Sequence, residues 1–251
     1  MLIEEKNIHS LIKTDREGIS FFIPCLNEEK NIINTLKSIK SAVDSEDINY
    51  EILIFDDFST DNSVSLIKEF CNADPNIPVT LITNMKTMGL GRNYFDGSFL
   101  SQYKYYMCIF GGNSEPEETI KSMIKCLGKA EIIIPHYDLG NRTLIRKLFS
   151  ITFTFLVNII SGNSIRYYNW SVIHLKNNVM RYHSDTNGFA YQAEIITRLI
   201  NEGASYIELQ LPNSDKHRGS SSAFKIQNIL SVIHSLVQIF LRRLRRVIFN
   251  V

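Results

Sequence analysis

Apolar residues along this chain follow two alternating rhythms. Continuous apolar runs at residues 19–24, 50–55, 79–82, 105–110 and 131–135 are rich in β-branched and aromatic side chains, and polar turns follow them. That pattern predicts five buried strands. Between them the spacing changes to three and four. Ile32, Ile33, Leu36, Ile39 and Val43 predict a helix over 31–43, and Val64, Ile67 and Phe70 predict a second one, capped by Asp61 or Ser63. Residues 92–102 and 117–127 supply two more. Strands alternating with helices of about ten residues specify a mostly parallel sheet with crossover helices. Such sheets bind ligands beyond the carboxyl ends of their strands. The loops after Ile23, Phe55, Ile82, Phe110 and Ile134 are therefore expected to converge on one site.

The second half changes character. Residues 144–160 are apolar apart from Arg146, Lys147, Ser150, Thr152, Thr154 and Asn158. Ile195, Ile196, Leu199 and Ile200 form the buried side of a helix opened by Phe189-Ala-Tyr-Gln-Ala-Glu194. Residues 224–248, set at 100° per residue, place Ile226, Ile229, Leu230, Ile233, Leu236, Val237, Phe240, Leu244, Val247 and Ile248 on one arc. Gln227, Ser231, His234, Ser235, Gln238, Arg242, Arg245 and Arg246 fall opposite. No stretch reaches the roughly 18–20 continuous apolar residues of a spanning helix.

With 251 residues, 44% hydrophobic and 21% charged, the composition is that of one folded domain with appendages and excludes disorder as the main state. The net charge of +1 hides an asymmetry. Residues 1–215 hold 20 basic and 26 acidic side chains, whereas 216–251 hold seven basic and no acidic ones. An amphipathic helix with clustered Arg predicts association with an anionic bilayer surface; packing on its own domain or a partner is the alternative. Nucleic acid is not an expected partner, because the tail Arg residues sit among Leu, Val, Ile and Phe on an acidic body that repels a phosphate backbone. Cys25, Cys71, Cys108 and Cys126 lie in no metal-binding spacing and read as reduced structural thiols. Met1–Ser10 contains no apolar signal core. The expected location is cytoplasmic, peripheral on the inner face of the plasma membrane.

Four strand-end loops carry candidate chemistry: Pro24-Cys-Leu-Asn-Glu-Glu29, Asp56-Asp-Phe-Ser-Thr-Asp61, Lys86-Thr-Met-Gly-Leu-Gly-Arg-Asn93 and Gly111-Gly-Asn-Ser-Glu-Pro-Glu-Glu118. Carboxylates there can accept hydrogen bonds from a base N–H or a ribose hydroxyl. Glycines let backbone approach a bulky ligand, and Arg92 with a helix start suits a pyrophosphate.

In their order these motifs resemble family 2 glycosyltransferases of the GT-A fold, most closely the dolichyl/polyprenyl-phosphate mannosyltransferase-like branch. The resemblance spans roughly residues 18–225. It implies an α/β fold with a Rossmann-like, mixed and mostly parallel sheet flanked by helices, followed by the C-terminal amphipathic helix. Domain boundaries are expected at 1–222 for the transferase and 223–251 for the membrane-associating helix. The resemblance assigns Pro24, Asn27, Glu28 and Asp57 to the nucleotide, with Asp56 in support, and places Gly89, Gly91 and Arg92 near nucleotide and sugar.

The fourth loop departs from the family. An Asp that holds a divalent metal is replaced by Gly112, leaving Asn113 and Glu115 as candidate ligands for Mg²⁺ or Mn²⁺. Metal-independent neutralisation of the diphosphate by basic residues, and a degenerate transferase, are the other readings. For the acceptor, Arg142 and Arg146 share a helix face ahead of the apolar run and fit a lipid phosphate. A solvated helix start with a buried helix behind it is the alternative. The tract Arg166-Tyr-Tyr-Asn-Trp170 also resembles the family, except that Trp170 stands where a small residue is usual. Glu194 or Asp185 is the candidate base for an acceptor hydroxyl. Lys216 and Arg218, in Asp215-Lys-His-Arg-Gly-Ser-Ser-Ser222, suit a loop closing over the phosphates. The expected activity is inverting transfer from a UDP- or GDP-linked sugar to a polyprenyl phosphate. Transfer to a glycan hydroxyl in cell-surface polysaccharide synthesis, or nucleotide-sugar binding without turnover, stands as the alternative.

Overall fold

The computed structural model describes residues 16–137, 144–182, 188, 190–211 and 226–249. The strands are β1 (Arg16–Cys25), β2 (Tyr50–Asp56), β3 (Val79–Thr83), β4 (Tyr103–Cys108), β5 (Ile132–Tyr137), β6 (Ile173–Leu175) and β7 (Tyr206–Leu211). The helices are α1 (Ile32–Asp44), α2 (Ser63–Ala73), α3 (Leu90–Leu100), α4 (Glu117–Ile124), α5 (Leu144–Ser161), α6 (Lys176–Met180), α7 (Tyr191–Asn201) and α8 (Ile226–Phe249). The strands form one sheet in the order β3-β2-β1-β4-β6-β5-β7. β1 pairs in parallel with β2 and β4, β2 with β3, and β5 with β7, while β6 runs antiparallel between β4 and β5. The sheet is thus mixed and mostly parallel, and the reversal at β6 brings the chain entering that strand to the carboxyl end of β4.

Both faces of the sheet are buried, which is why its central strands are continuously apolar rather than alternating. On one face Ile19, Phe21 and Ile23 pack with α1 (Leu36, Ile39), α2 (Ile67) and α4 (Ile120, Met123). On the other, Phe22, Phe55 and Tyr106 pack with α3 (Tyr94), α5 (Val157), α7 (Tyr191, Ile195) and α8 (Ile239). Helix α3 comes close to the sheet because Gly97 has no side chain: a Cβ there would meet Phe22 at 2.9 Å and Phe55 at 3.2 Å, besides the Tyr106 hydroxyl. Pro24 is tolerated in central β1 because β4 stops at Cys108, which pairs with Phe22, so no partner requires the missing N–H on that side. His174 of β6 is fully buried, and burial lowers its pKa to about 4; it is therefore neutral, paired with Gln192.

Several expectations need correction. Helix α2 is preceded by Asn62 with no side-chain cap bond; Asp61 instead accepts from the Ser63 N–H and hydroxyl. His136 lies inside β5 rather than after it, 3.2 Å from the Arg166 guanidinium. Helix α5 is not buried: Leu144, Ile145, Leu148, Phe149, Ile151 and Phe155 are exposed, and only Val157 and Ser161 are buried. Helix α8 turns its polar side, Ser235 with the half-buried Arg242, toward the body and its broad apolar arc outward.

Candidate functional site

The registers Cys25↔Asp56 and Asp56↔Thr83, with Phe22↔Cys108, bring the carboxyl ends of β1 to β4 to one edge. The loops that follow are tied to each other by side chains. Asn27, at φ 57°, accepts from the Thr60 N–H at 2.8 Å through Oδ1, while its own N–H donates to Ser59 Oγ at 2.9 Å. The Glu28 N–H donates to Ser63 Oγ and the Glu29 N–H to Asp61 Oδ2. Asn27 thus holds the second loop in place.

The adjacent aspartates do different work. Asp57 gathers the third loop: Oδ1 accepts from the Met88 N–H at 2.8 Å and the Asn84 amide at 2.9 Å, and Oδ2 accepts from the Gly89 N–H at 3.0 Å. Burial pushes the Asp57 carboxyl up, but the donors Met88, Asn93, Asn84 and Gly89 outweigh it and hold it below the usual carboxylate range. Asp56 accepts from the Ser59 N–H through Oδ2, and its buried Oδ1 has no partner among the described residues. Gly89 takes φ 95°, a left-handed conformation that suits glycine, and precedes α3, where Gly91 is buried in the first turn. Arg92 points along the helix surface to Asp96, at 3.4 Å, rather than toward the loops.

The fourth loop wraps over the start of α1. The Thr35 hydroxyl donates to the Gly111 carbonyl and accepts from the Asn113 N–H, each at 2.9 Å. A Cβ at Gly111 would lie 3.0 Å from the Pro24 carbonyl oxygen, and one at Gly112 would lie 3.6 Å from both Glu28 carboxylate oxygens. Glu28 thus lines the ground where the family's Asp is missing.

The residues expected to hold a divalent cation do not fit one. Glu115 is 1% exposed, and its two oxygens accept from the Ser114 and Ser171 hydroxyls, each at 2.6 Å. Asn113, at φ 52°, turns its Oδ1 to Ser38. Among the described residues no group of three or more His, Cys, Asp or Glu side chains is placed to share a metal ion.

Glu194 is held in the body of the domain by an ion pair. It is 1% exposed in the first turn of α7 and receives the Arg242 guanidinium of α8 at 2.8 Å. Arg146 lies near the exposed start of α5. Asp185, Arg218, Arg142 and Lys216 lie outside the described residues.

The structure also adds residues that the motifs did not indicate. Phe58 sits between the two aspartates and Ser59 at φ 72°, a strained conformation for an aromatic residue, and is 52% exposed. Its one sequence signal is an aromatic residue inside an otherwise polar loop. Asn84 bridges Asp57 and Asn93. Trp170, the departure in the Arg166–Trp170 tract, lies just before β6 and packs at a tilt against Tyr137 at the end of β5, with ring centroids 4.5 Å apart.

Residues 20–125 match the family described as glycosyl transferase family 2. An uncharacterized protein of Methanocaldococcus jannaschii is 26% identical over 86% of this chain and 96% of its own length. The dolichyl N-acetyl-alpha-D-glucosaminyl phosphate 3-beta-D-2,3-diacetamido-2,3-dideoxy-beta-D-glucuronosyltransferase of Methanococcus voltae is 34% identical over 40% of this chain, which spans 30% of that enzyme. Among solved structures, a mannosyltransferase from Pyrobaculum calidifontis in complex with GDP-Man and Mn²⁺ superposes with a TM-score of 0.64 at 14% identity, over 92% of this chain and 65% of that one.

Proposed function

This chain carries a glycosyl transferase family 2 domain in a GT-A fold, and from that premise we propose that it transfers a sugar from a UDP- or GDP-linked donor to a polyprenyl phosphate at the cytoplasmic membrane face. One observation carries the reading. Four loops at one sheet edge are cross-tied by Asn27, Asp57, Asp61 and Thr35, yet Asp56 keeps a buried oxygen without a donor. A base N–H or a ribose hydroxyl supplies such a donor, and the exposed Phe58 ring in the same loop offers a stacking face. Pro24 and Glu28 border the same ground, while Asp57 and Gly89 shape the third loop.

In the reaction, an acceptor oxygen attacks the anomeric carbon as the bond to the departing diphosphate breaks, inverting the configuration. A phosphate acceptor is already anionic and needs no strong base, which agrees with Glu194 being tied to Arg242. The Methanococcus voltae enzyme has a dolichyl-linked sugar phosphate in its name, which supports a lipid-linked acceptor without naming the phosphate as the attacking group. The Pyrobaculum neighbour was solved with Mn²⁺, whereas Asn113 and Glu115 do not form a ligand pair here. No step is therefore assigned to a metal.

Calorimetric titration of UDP, GDP and their sugar conjugates, each with Mn²⁺, Mg²⁺ and EDTA, tests the reading. Micromolar binding of one nucleotide is expected. Binding that survives EDTA assigns the diphosphate to basic side chains, and binding lost in EDTA requires a cation held by residues other than the Asn113–Glu115 pair. Failure of every nucleotide to bind overturns the transferase reading in favour of a scaffold.

A further inference from the structure

Helices α5 and α8 pack against each other on the outside of the domain and leave a large apolar surface uncovered. On α5 it runs through Leu148, Ile151, Phe155 and Ile159, and on α8 through Ile233, Val237, Phe240 and Leu244. Stretches of this size on a folded domain mark a partner or a membrane. Both helices are anchored by their other sides. Asn158 of α5 accepts from the Ile165 N–H and the Tyr168 hydroxyl and donates to the Ile165 carbonyl. On α8, Arg242 is spent on Glu194, and the Arg243 guanidinium caps the Ile159 and Ile160 carbonyls at the end of α5. That approach uses Gly162, at φ 78°, where a Cβ would stand 3.1 Å from the guanidinium. The two helices are thus clamped to the body and to each other.

We propose that α5 and α8 form one rigid platform that lies in the surface of an anionic lipid bilayer, with neither helix crossing it. The proposal deepens the lipid-acceptor reading by naming the surface that brings the site to the membrane. Charge selects the occupant. Neither helix contains an acidic residue, Arg245 and Arg246 stand exposed at the end of α8, and Arg146 and Lys147 lie near the start of α5. Cations at the ends of an apolar platform suit acidic headgroups, whereas a second copy of the same face would bring like charges together. Helix α5 is long and apolar enough to cross a membrane by composition. Its 18 residues reach only about 27 Å at the usual helical rise, and its last turns are held to the domain by Asn158 and Arg243.

Flotation of the full chain with vesicles of phosphatidylcholine alone, or with phosphatidylglycerol added, tests the platform. The wild type should float with the anionic vesicles and be released by carbonate. Leu148→Glu with Ile151→Glu on α5, and Ile233→Glu with Phe240→Glu on α8, should each weaken partitioning at least tenfold. Arg245→Ala and Arg246→Ala should each cost roughly fivefold on anionic vesicles and little on neutral ones. All these side chains are exposed, so melting temperatures should stay at the wild-type value. Several results overturn the proposal: no flotation of the wild type, insensitivity to the α5 pair, resistance to carbonate extraction, or a soluble dimer dispersed by the same Glu substitutions. Nucleotide titration without vesicles reads the transferase site separately, so failure of the platform and failure of the activity are distinguishable.

Discussion

Asp56 and Asp57 are neighbours of identical chemistry whose jobs are separated by where their oxygens point. Asp57 spends both oxygens on Met88, Asn84 and Gly89 and so builds the third loop. Asp56 spends one oxygen on Ser59 and leaves the other buried and unmatched. The two should therefore fail differently. Asp57→Ala strands buried donors that now share a charged acceptor, and should lower stability by about 3 kcal/mol, carrying nucleotide affinity down with it. Asp56→Asn keeps shape and volume, and should leave the melting temperature within a few degrees while weakening nucleotide binding about tenfold or more. Thermal melts paired with calorimetry separate these outcomes; equal losses of stability and affinity in Asp56→Asn would reduce Asp56 to a structural residue. The family resemblance assigned Asp57 to the nucleotide with Asp56 in support, and the hydrogen-bond partners distinguish the two carboxylates.

At the scale of elements, what was legible in the sequence depended on how many faces each element buries. β1, β2 and β4 are covered on both faces, so their runs Phe21-Phe-Ile, Ile52-Leu-Ile and Tyr106-Met-Cys stand out. β7 alternates along Tyr206-Ile-Glu-Leu-Gln-Leu211 at the sheet edge, and β6 is three residues around a buried histidine, so neither forms an apolar run. The 3.6-residue period also reveals that α8 has two faces without saying which one turns inward. The inward choice is made by Arg242, which pairs with the buried Glu194, and by Ile239 and Leu236, which pack on the core. This changes the role open to Glu194. A catalytic base replaced by Gln loses about 10²–10⁴ in rate, whereas a positioning residue does not. Glu194→Gln should keep kcat within about threefold and lower the melting temperature, since Arg242 loses its charged partner while keeping a hydrogen bond. Arg242→Leu should be the more damaging change for folding, about 3–5 kcal/mol in urea unfolding, because it breaks an ion pair whose carboxylate is 1% exposed. A hundredfold fall in kcat for Glu194→Gln with unchanged stability would restore the base.

For the whole molecule, the same contacts decide whether the C-terminal helix is an appendage or part of the fold. The sequence sets a basic amphipathic helix apart beyond residue 222. The packing ties that helix to the body: Ile239 lies in the core on the α3–α5–α7 side of the sheet, Ser235 is fully buried, and Arg243 closes the end of α5. Ending the chain after residue 222 would uncover Glu194 and open the α5 carbonyls, two penalties that act on the body and not on the membrane. Loss of the Arg242–Glu194 pair alone is worth about 3–5 kcal/mol, and in a domain of this size each kcal/mol moves the midpoint by about 2–4 °C. The truncated chain should therefore melt about 10 °C or more below the full chain in detergent-free buffer and lose cooperativity around α5 and α7, read by hydrogen exchange. Nucleotide affinity at β1 to β3, on the far side of the sheet order, should survive at temperatures where the body remains folded. An unchanged midpoint with vesicle binding lost would make α8 an anchor and nothing more. A lowered midpoint with protection lost along α5 and α7 makes it a structural element that shares one core with the nucleotide-site half of the molecule.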